Sequence, residues 1–402
     1  MGELTRVVHG GRTVGARRRR QAAVGLFAIA LVVAGCGTSE DDSAEAESDA
    51  TSDDTEMAED ASSGEGSELT LRYTSILAPG TSMALSSEAW AEDIVERTGG
   101  RVEVDTYYAA SLLGASDTIP GLTDGRVDVG YSGPFYAPQG FPLWGGAELP
   151  MIQGDNPVAQ VQALTQLYEE HDEFRAEFED AGLRVMHFIP ISSAVIGIDG
   201  EFSSLDQLEG KRIRSGGGIT DALDAIGAEP VAIAGEELYE SLQRDVIDGY
   251  SAAPFDAVIS MGLHELRDNI WHAGLGLFGA PANVMSEEVW QSLDGEVQDH
   301  IEEANEAYLE TSIEILVEAE DEACTRALDD GVSVTVLPNE AQERWRETAE
   351  DAIIDAWVGR AGEAGVNENT ARSFLDRYLE LVEEFSQSSD HIDGMQRCSG
   401  RS

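Results

Sequence analysis

From residue 69 onward the apolar pattern switches between a period of two and a period of 3.6, and that alternation leaves few folds open. Residues 69–76 alternate as a strand does and run into Ala78-Pro79-Gly80, a turn signal. Residues 82–98 carry apolar side chains at helical spacing and stop at Gly99-Gly100. A second alternating strand (101–107), a short helix (117–123) and a third strand (127–131) follow. This order predicts an α/β layer with mostly parallel pairing. The same grammar returns after a long helix over 157–182 and a strand over 184–191. Strands are expected at 195–199, 212–214, 230–233 and 246–250, with helices at 220–226 and 236–244 between them. That makes a second α/β lobe. Beyond it the pattern is helical over 286–328, 339–360 and 370–386, with one strand at 332–336. The 286–328 stretch is long for one lobe and is expected to run across both.

The start of the chain sets the compartment. Arg17-Arg18-Arg19-Arg20 precedes an apolar run over 22–33 and then Ala34-Gly35-Cys36, the order of a secretory signal. The run is shorter than the roughly 20 residues a spanning helix needs. Val33-Ala34-Gly35-Cys36 resembles a bacterial lipobox, so Cys36 is expected to be lipidated and to hold the exported protein on the outer face of the membrane. Residues 37–66 hold no basic and no aromatic side chain, and read as a disordered, self-repelling acidic tether.

Charge excludes one class of partner. The 402 residues carry 77 acidic against 25 basic side chains, net −52, and Lys211 is the one lysine. Nucleic-acid binding needs the opposite sign, because Lys and Arg must displace counterions. Enzyme motifs are sparse as well. Gly274-Leu275-Gly276-Leu277-Phe278-Gly279 fits GxGxxG, but Ala280-Pro281 follows where a helix should open. Gly130-Tyr131-Ser132-Gly133 falls short of a nucleophile elbow, and His264-Glu265 has no second histidine at zincin spacing. The expectation is a chain without catalysis, cofactor or metal. Cys324 and Cys398 remain once Cys36 is set aside; they either pair, tying the tail to the helices, or stay free thiols. Pairing is expected.

An exported lipoprotein with two α/β lobes and no catalytic set points to a solute receptor with a cleft between the lobes. At residues 91–102, 121–128, Leu149-Pro150 and Leu208-Glu209-Gly210-Lys211-Arg212-Ile213-Arg214 the chain resembles the solute-binding proteins of TRAP-type (tripartite ATP-independent periplasmic) transporters. The likeness continues through Gly227-Ala228-Glu229-Pro230, residues 237–243, Val246-Ile247-Asp248-Gly249 and Trp290-Gln291-Ser292-Leu293. It implies a two-lobed periplasmic-binding-protein-like fold with a long helix spanning both lobes. It also implies a monomeric receptor that hands a small organic acid to integral membrane subunits. Arg214 is then the residue that meets the ligand carboxylate, and a guanidinium fork suits that role because it matches a carboxylate bidentately. Tyr131, Ser132 and Tyr136 in the loop after the third strand, Ser193 at the lobe crossing, Phe255 and Asn283 are the softer candidate contacts. Family members that bind sugar acids or dicarboxylates commonly carry an Asn just after the Asp-Gly pair, where this chain has Tyr250-Ser251-Ala252-Ala253-Pro254-Phe255. Ala194 stands where a second Arg can occur. These departures suggest a less polar cleft, suited to a monocarboxylate with an apolar or aromatic body.

The expected organisation is a signal over 1–35, Cys36 with its tether over 36–67, lobe I from 68–191 and 281–320, lobe II with the C-terminal helices from 192–280 and 321–390, and a tail over 391–402. An ABC-type receptor would differ in having no helix across both lobes. A secreted hydrolase would need a nucleophile–base pair.

Overall fold

The computed structural model describes residues 69–137, 139–200, 204–233 and 235–401. The signal, Cys36 and the acidic tether lie outside the described residues. The first elements are β1 (Leu69–Thr74), α1 (Ser82–Arg97), β2 (Val102–Tyr107), α2 (Thr118–Thr123), β3 (Val129–Ser132), α3 (Pro157–Glu170), α4 (Asp172–Asp180) and β4 (Leu183–Phe188). Then come β5 (Ala194–Ile198), β6 (Arg212–Ser215), α5 (Gly218–Asp224), β7 (Glu229–Ala232), α6 (Leu238–Gln243), β8 (Gly249–Pro254), α7 (Phe255–Ser260) and β9 (Asn269–His272). The chain ends with β10 (Ala282–Ser286), α8 (Glu287–Ser292), α9 (Gly295–Asp329), β11 (Ser333–Val336), α10 (Asn339–Glu363), α11 (Glu368–Ser388) and α12 (Gly394–Ser399).

These strands form two sheets. The first runs β2-β1-β3-β10-β4 and the second β11-β9-β5-β8-β6-β7. Pairing is parallel within β2-β1-β3 and within β8-β6-β7, as the strand–helix alternation requires. Each sheet also takes in an antiparallel strand, β10 in the first and β5 in the second. The chain passes between the sheets along two segments that lie side by side: the Ile189 amide donates to the Pro281 carbonyl, and the Ala194 amide to that of Gly276. The helix α9 makes a third connection. Val297, Ile301, Ala304 and Tyr308 in its first half pack into the core of the first sheet and α1. Ala323, Cys324 and Ala327 in its second half pack into the core around β8, α7 and β11. The fold is α/β with two lobes and one long helix spanning both.

Two expected helices are each broken. The 157–182 stretch divides at His171, whose ring nitrogen accepts from the Phe174 amide and starts α4. The 286–328 stretch divides at Leu293, and Asp294 then caps α9 by accepting from the Val297 amide.

Candidate functional site

In sheets with parallel strands, ligands meet the carboxyl ends of the strands. Here those ends bring the loop after β3 against the end of β6 and the glycines that follow it. Arg214 lies near the end of β6, opposite Tyr250 on β8, and is 6% exposed. Its Nε donates to the Ile233 carbonyl at 3.1 Å, and its Nη1 to the carbonyls of Ser251 at 3.1 Å and Ala252 at 2.6 Å. These carbonyl dipoles fix the plane of the fork. The backbone of Ala252 bends to present its carbonyl, with a left-handed φ of 53° that costs an alanine about 1 kcal/mol or more. The Ser251 hydroxyl donates back to the Arg214 carbonyl at 2.7 Å, which closes the arrangement.

Phe135, in the loop after β3, crosses to the second sheet. Its ring centroid is 5.8 Å from the Arg214 guanidinium carbon. It lies flat enough on Gly216 that a Cβ there would sit 2.1 Å from the ring. Only glycine allows this approach. Gly216→Ala should therefore hold the two loops apart, read by small-angle scattering as a larger radius of gyration than wild type. Adding Phe135→Ala to that variant should restore the wild-type radius, and a radius unchanged in Gly216→Ala would mean the contact does not set the spacing.

Behind Phe135 stand Tyr136, 5.2 Å from it ring to ring, and Tyr131, 6.2 Å from Tyr136. Tyr131 is buried, its hydroxyl lies 3.8 Å from the Met83 sulfur, and burial pushes that phenol well above its ordinary range. The Ser132 hydroxyl is buried without a hydrogen-bond partner. Glu148 shares this region. Its Oε1 would lie 3.4 Å from a Cβ on Gly217, and its Oε2 is buried with no partner. Burial pushes the Glu148 carboxyl up to about 8, with the Phe135 amide and the Arg360 charge pulling the other way.

The structure thus brings Tyr136, through Phe135, to the side of Arg214, leaves Tyr131 and Ser132 buried on β3, and directs three other candidates elsewhere. Asn283 is fully buried inside the first lobe, where it accepts from Tyr73 at 3.0 Å and faces Ser87 at 3.2 Å and His187 at 2.9 Å. Its amide is used up by the lobe itself. Ser193 donates to Asp155 at 3.1 Å, and its neighbour Ser192 to Asp256 at 3.0 Å. These hydroxyls tie down the crossing segment. Asp256 also accepts from the amide and hydroxyl of Ser82 at the start of α1, which joins α7 to the first lobe. Phe255 is 1% exposed and belongs to the core of the second lobe. Phe135 and Glu148 are the residues that the sequence does not single out. The Gly-rich run after Arg214 hinted at a close approach, but not at what approaches.

Among the described residues no helix is long and apolar enough to cross a membrane. The sequence profile of the bacterial extracellular solute-binding proteins, family 7 (DctP), matches residues 73–357. The outer membrane transporter protein TsaT of Comamonas testosteroni is 23% identical over 314 residues, 76% of this chain and 90% of that protein. Two solved structures share the fold with a TM-score of 0.71. One, a TRAP solute-binding protein of Rhodoferax ferrireducens with copurified benzoate, is 21% identical and covers 79% of this chain and 99% of its own. The other, from an unidentified marine microbe, is described as specific for aromatic acid ligands and holds 3-hydroxybenzoate; it is 22% identical, covering 80% and 99%. With the profile spanning both sheets and the connections between them, the chain belongs to family 7 of the extracellular solute-binding proteins, the periplasmic solute receptors of TRAP transporters.

Proposed function

We propose that this receptor takes a small organic acid between its two lobes through an Arg214–carboxylate contact and presents it to TRAP membrane subunits. The observation that carries the reading is the buried guanidinium, its plane set by three carbonyls and its carbon over the ring of Phe135 from the loop after β3. A charge-assisted pair in so dry a place is stronger than in water, and closure of the lobes would dry it further. The aromatic set of Phe135, Tyr136 and Tyr131 suits an apolar or aromatic ligand body. Benzoate and 3-hydroxybenzoate in the two related receptors are ligands of that kind. The lobe boundaries near residues 191 and 281, a monomeric state, an anchor at Cys36 and a function free of catalysis belong to the same proposal.

A melting-temperature screen against carboxylic acids tests it. At least one acid should raise the wild-type melting point. Arg214→Ala should weaken that acid by about 10- to 100-fold, the span of one hydrogen bond to a charged group. A wild type that responds to no acid, or a variant that responds equally, would overturn the assignment.

A further inference from the structure

We infer that Glu148 reads a hydroxyl group of the ligand, so that the receptor is selective for hydroxy acids over the plain acids of the same skeleton. The inference rests on the Arg214 reading and extends it to another part of the ligand. Glu148 lies in the segment that follows the β3 loop, between β3 and α3, whereas Arg214 lies on β6 of the second sheet. Both groups border the same ring: Arg214 lies over Phe135, and a Cβ on Gly217 would be 3.7 Å from that ring and 3.4 Å from the Glu148 carboxylate. A ligand that lays its body along the aromatic set and its carboxylate on Arg214 therefore has Glu148 beside the same ring.

Chemistry narrows what Glu148 would accept. A buried carboxyl oxygen with no partner is a deficit of about 1–3 kcal/mol that a native structure removes with a ligand or a water. With burial pushing its proton affinity up to about 8, the group is a neutral acid near pH 7, able to give one hydrogen bond and take one. A hydroxyl is the complementary group, since it also gives one and takes one. A second ligand carboxylate would be ionised and would meet a low-dielectric acid. The Ser132 hydroxyl, likewise buried and unpartnered three residues before Phe135, adds a donor of the same kind at the end of β3. A site built to hydrogen-bond a hydroxyl rejects the analogue that lacks it, because its own polar atoms are then left unpaired.

Titration calorimetry on the full chain would use two matched series: benzoate with its three monohydroxy isomers, and butyrate with its monohydroxy isomers. In wild type at least one hydroxylated acid should bind about 10-fold or more tightly than its parent. In Glu148→Met the ratio of hydroxylated to parent affinity should fall to about one, and in Glu148→Gln, which keeps a donor and an acceptor, most of it should return. Arg214→Ala should weaken parent and hydroxylated acids alike and leave the ratio standing. A wild-type ratio near one, or a ratio that survives Glu148→Met, overturns the role of Glu148 while leaving Arg214 in place. Acids unaffected by Arg214→Ala, or no binding in either series, would instead overturn the carboxylate reading. The ligand-free melting point of each variant separates loss of the ratio from unfolding, and Glu148→Gln keeps an acceptor for the Phe135 amide.

Discussion

Replacing Cys324 and Cys398 together by alanine should lower the melting point of the ligand-free protein by about 6 °C, and reduction of the wild type should do the same. The two sulfurs are bonded across 74 residues of sequence. Closing a loop of that length removes about 4 kcal/mol of entropy from the unfolded chain. At about 2.1 cal/mol/K per residue over the roughly 330 residues of the folded part, that energy corresponds to the stated shift. Local packing adds to it. Cys398 and Met395 on α12 are fully buried against α9 and β11. Asp393 starts that helix by accepting from the amides of Met395 and Gln396. Arg397 then reaches Glu320, a glutamate of α9 that is 1% exposed, at 3.0 Å. Even so, burial and the neighbouring Asp393 carboxylate push Glu320 up to about 8. A tail that leaves would strip this buried acid of its cation. Calorimetry with and without reductant measures the effect, and an unchanged midpoint would mean that α12 holds without its bond.

Much of the fold follows from patterns a few residues long. Residues 101–107 alternate along an edge strand with one face to the core, and the structure gives Val102–Tyr107. By contrast β9, Asn269-Ile270-Trp271-His272, is buried along its whole length, so no alternation marks it. The strand expected over 246–250 lies later, at Gly249–Pro254, because Val246 and Ile247 sit in the turn that leads into it. The site divides in the same way. Arg214 stands out locally, a cation at a strand end before three glycines. Asn283 also stands out, but its partner Tyr73 is 210 residues away, and only the fold shows that its amide is occupied. Glu148 is one acid among 77, and nothing in sequence separates a solvated glutamate from a buried one. What short patterns carry is local geometry. What they omit is which distant chain arrives to satisfy a polar group.

The stability of the protein should fall as pH rises from 6.5 to 9, by about 3 kcal/mol from His272 alone. This imidazole is 1% exposed at the end of β9, with Nε2 3.3 Å from Asp155 and 3.8 Å from Asp393. Burial works against its charge, but the Asp155 carboxylate facing it, with help from Asp393, outweighs burial and raises it to about 9. An unfolded histidine titrates near 6.5. Below that value both states are protonated and the ion pair contributes in full; above it the unfolded chain sheds its proton first, and the contribution drains away until the folded pKa is passed. Buried acids slope the same way, since Glu177 is pushed up by burial to about 7, and Glu148 and Glu320 to about 8. Their losses begin near 4.5, where unfolded carboxyls ionise. Subtracting the curve of His272→Gln from that of wild type therefore isolates the imidazole. The difference in melting point should be about 4 °C at pH 6 and close to zero above pH 9. A flat difference across that window would show that the pair does not form. If it does form, the consequence reaches the hinge: Asp155 also holds Ser193 on one crossing segment, while His272 leads directly into the other. Alkaline pH should then loosen both connections between the lobes at once, seen as faster amide exchange over residues 189–194 and 273–281 in wild type than in neutral buffer, after correction for intrinsic rates.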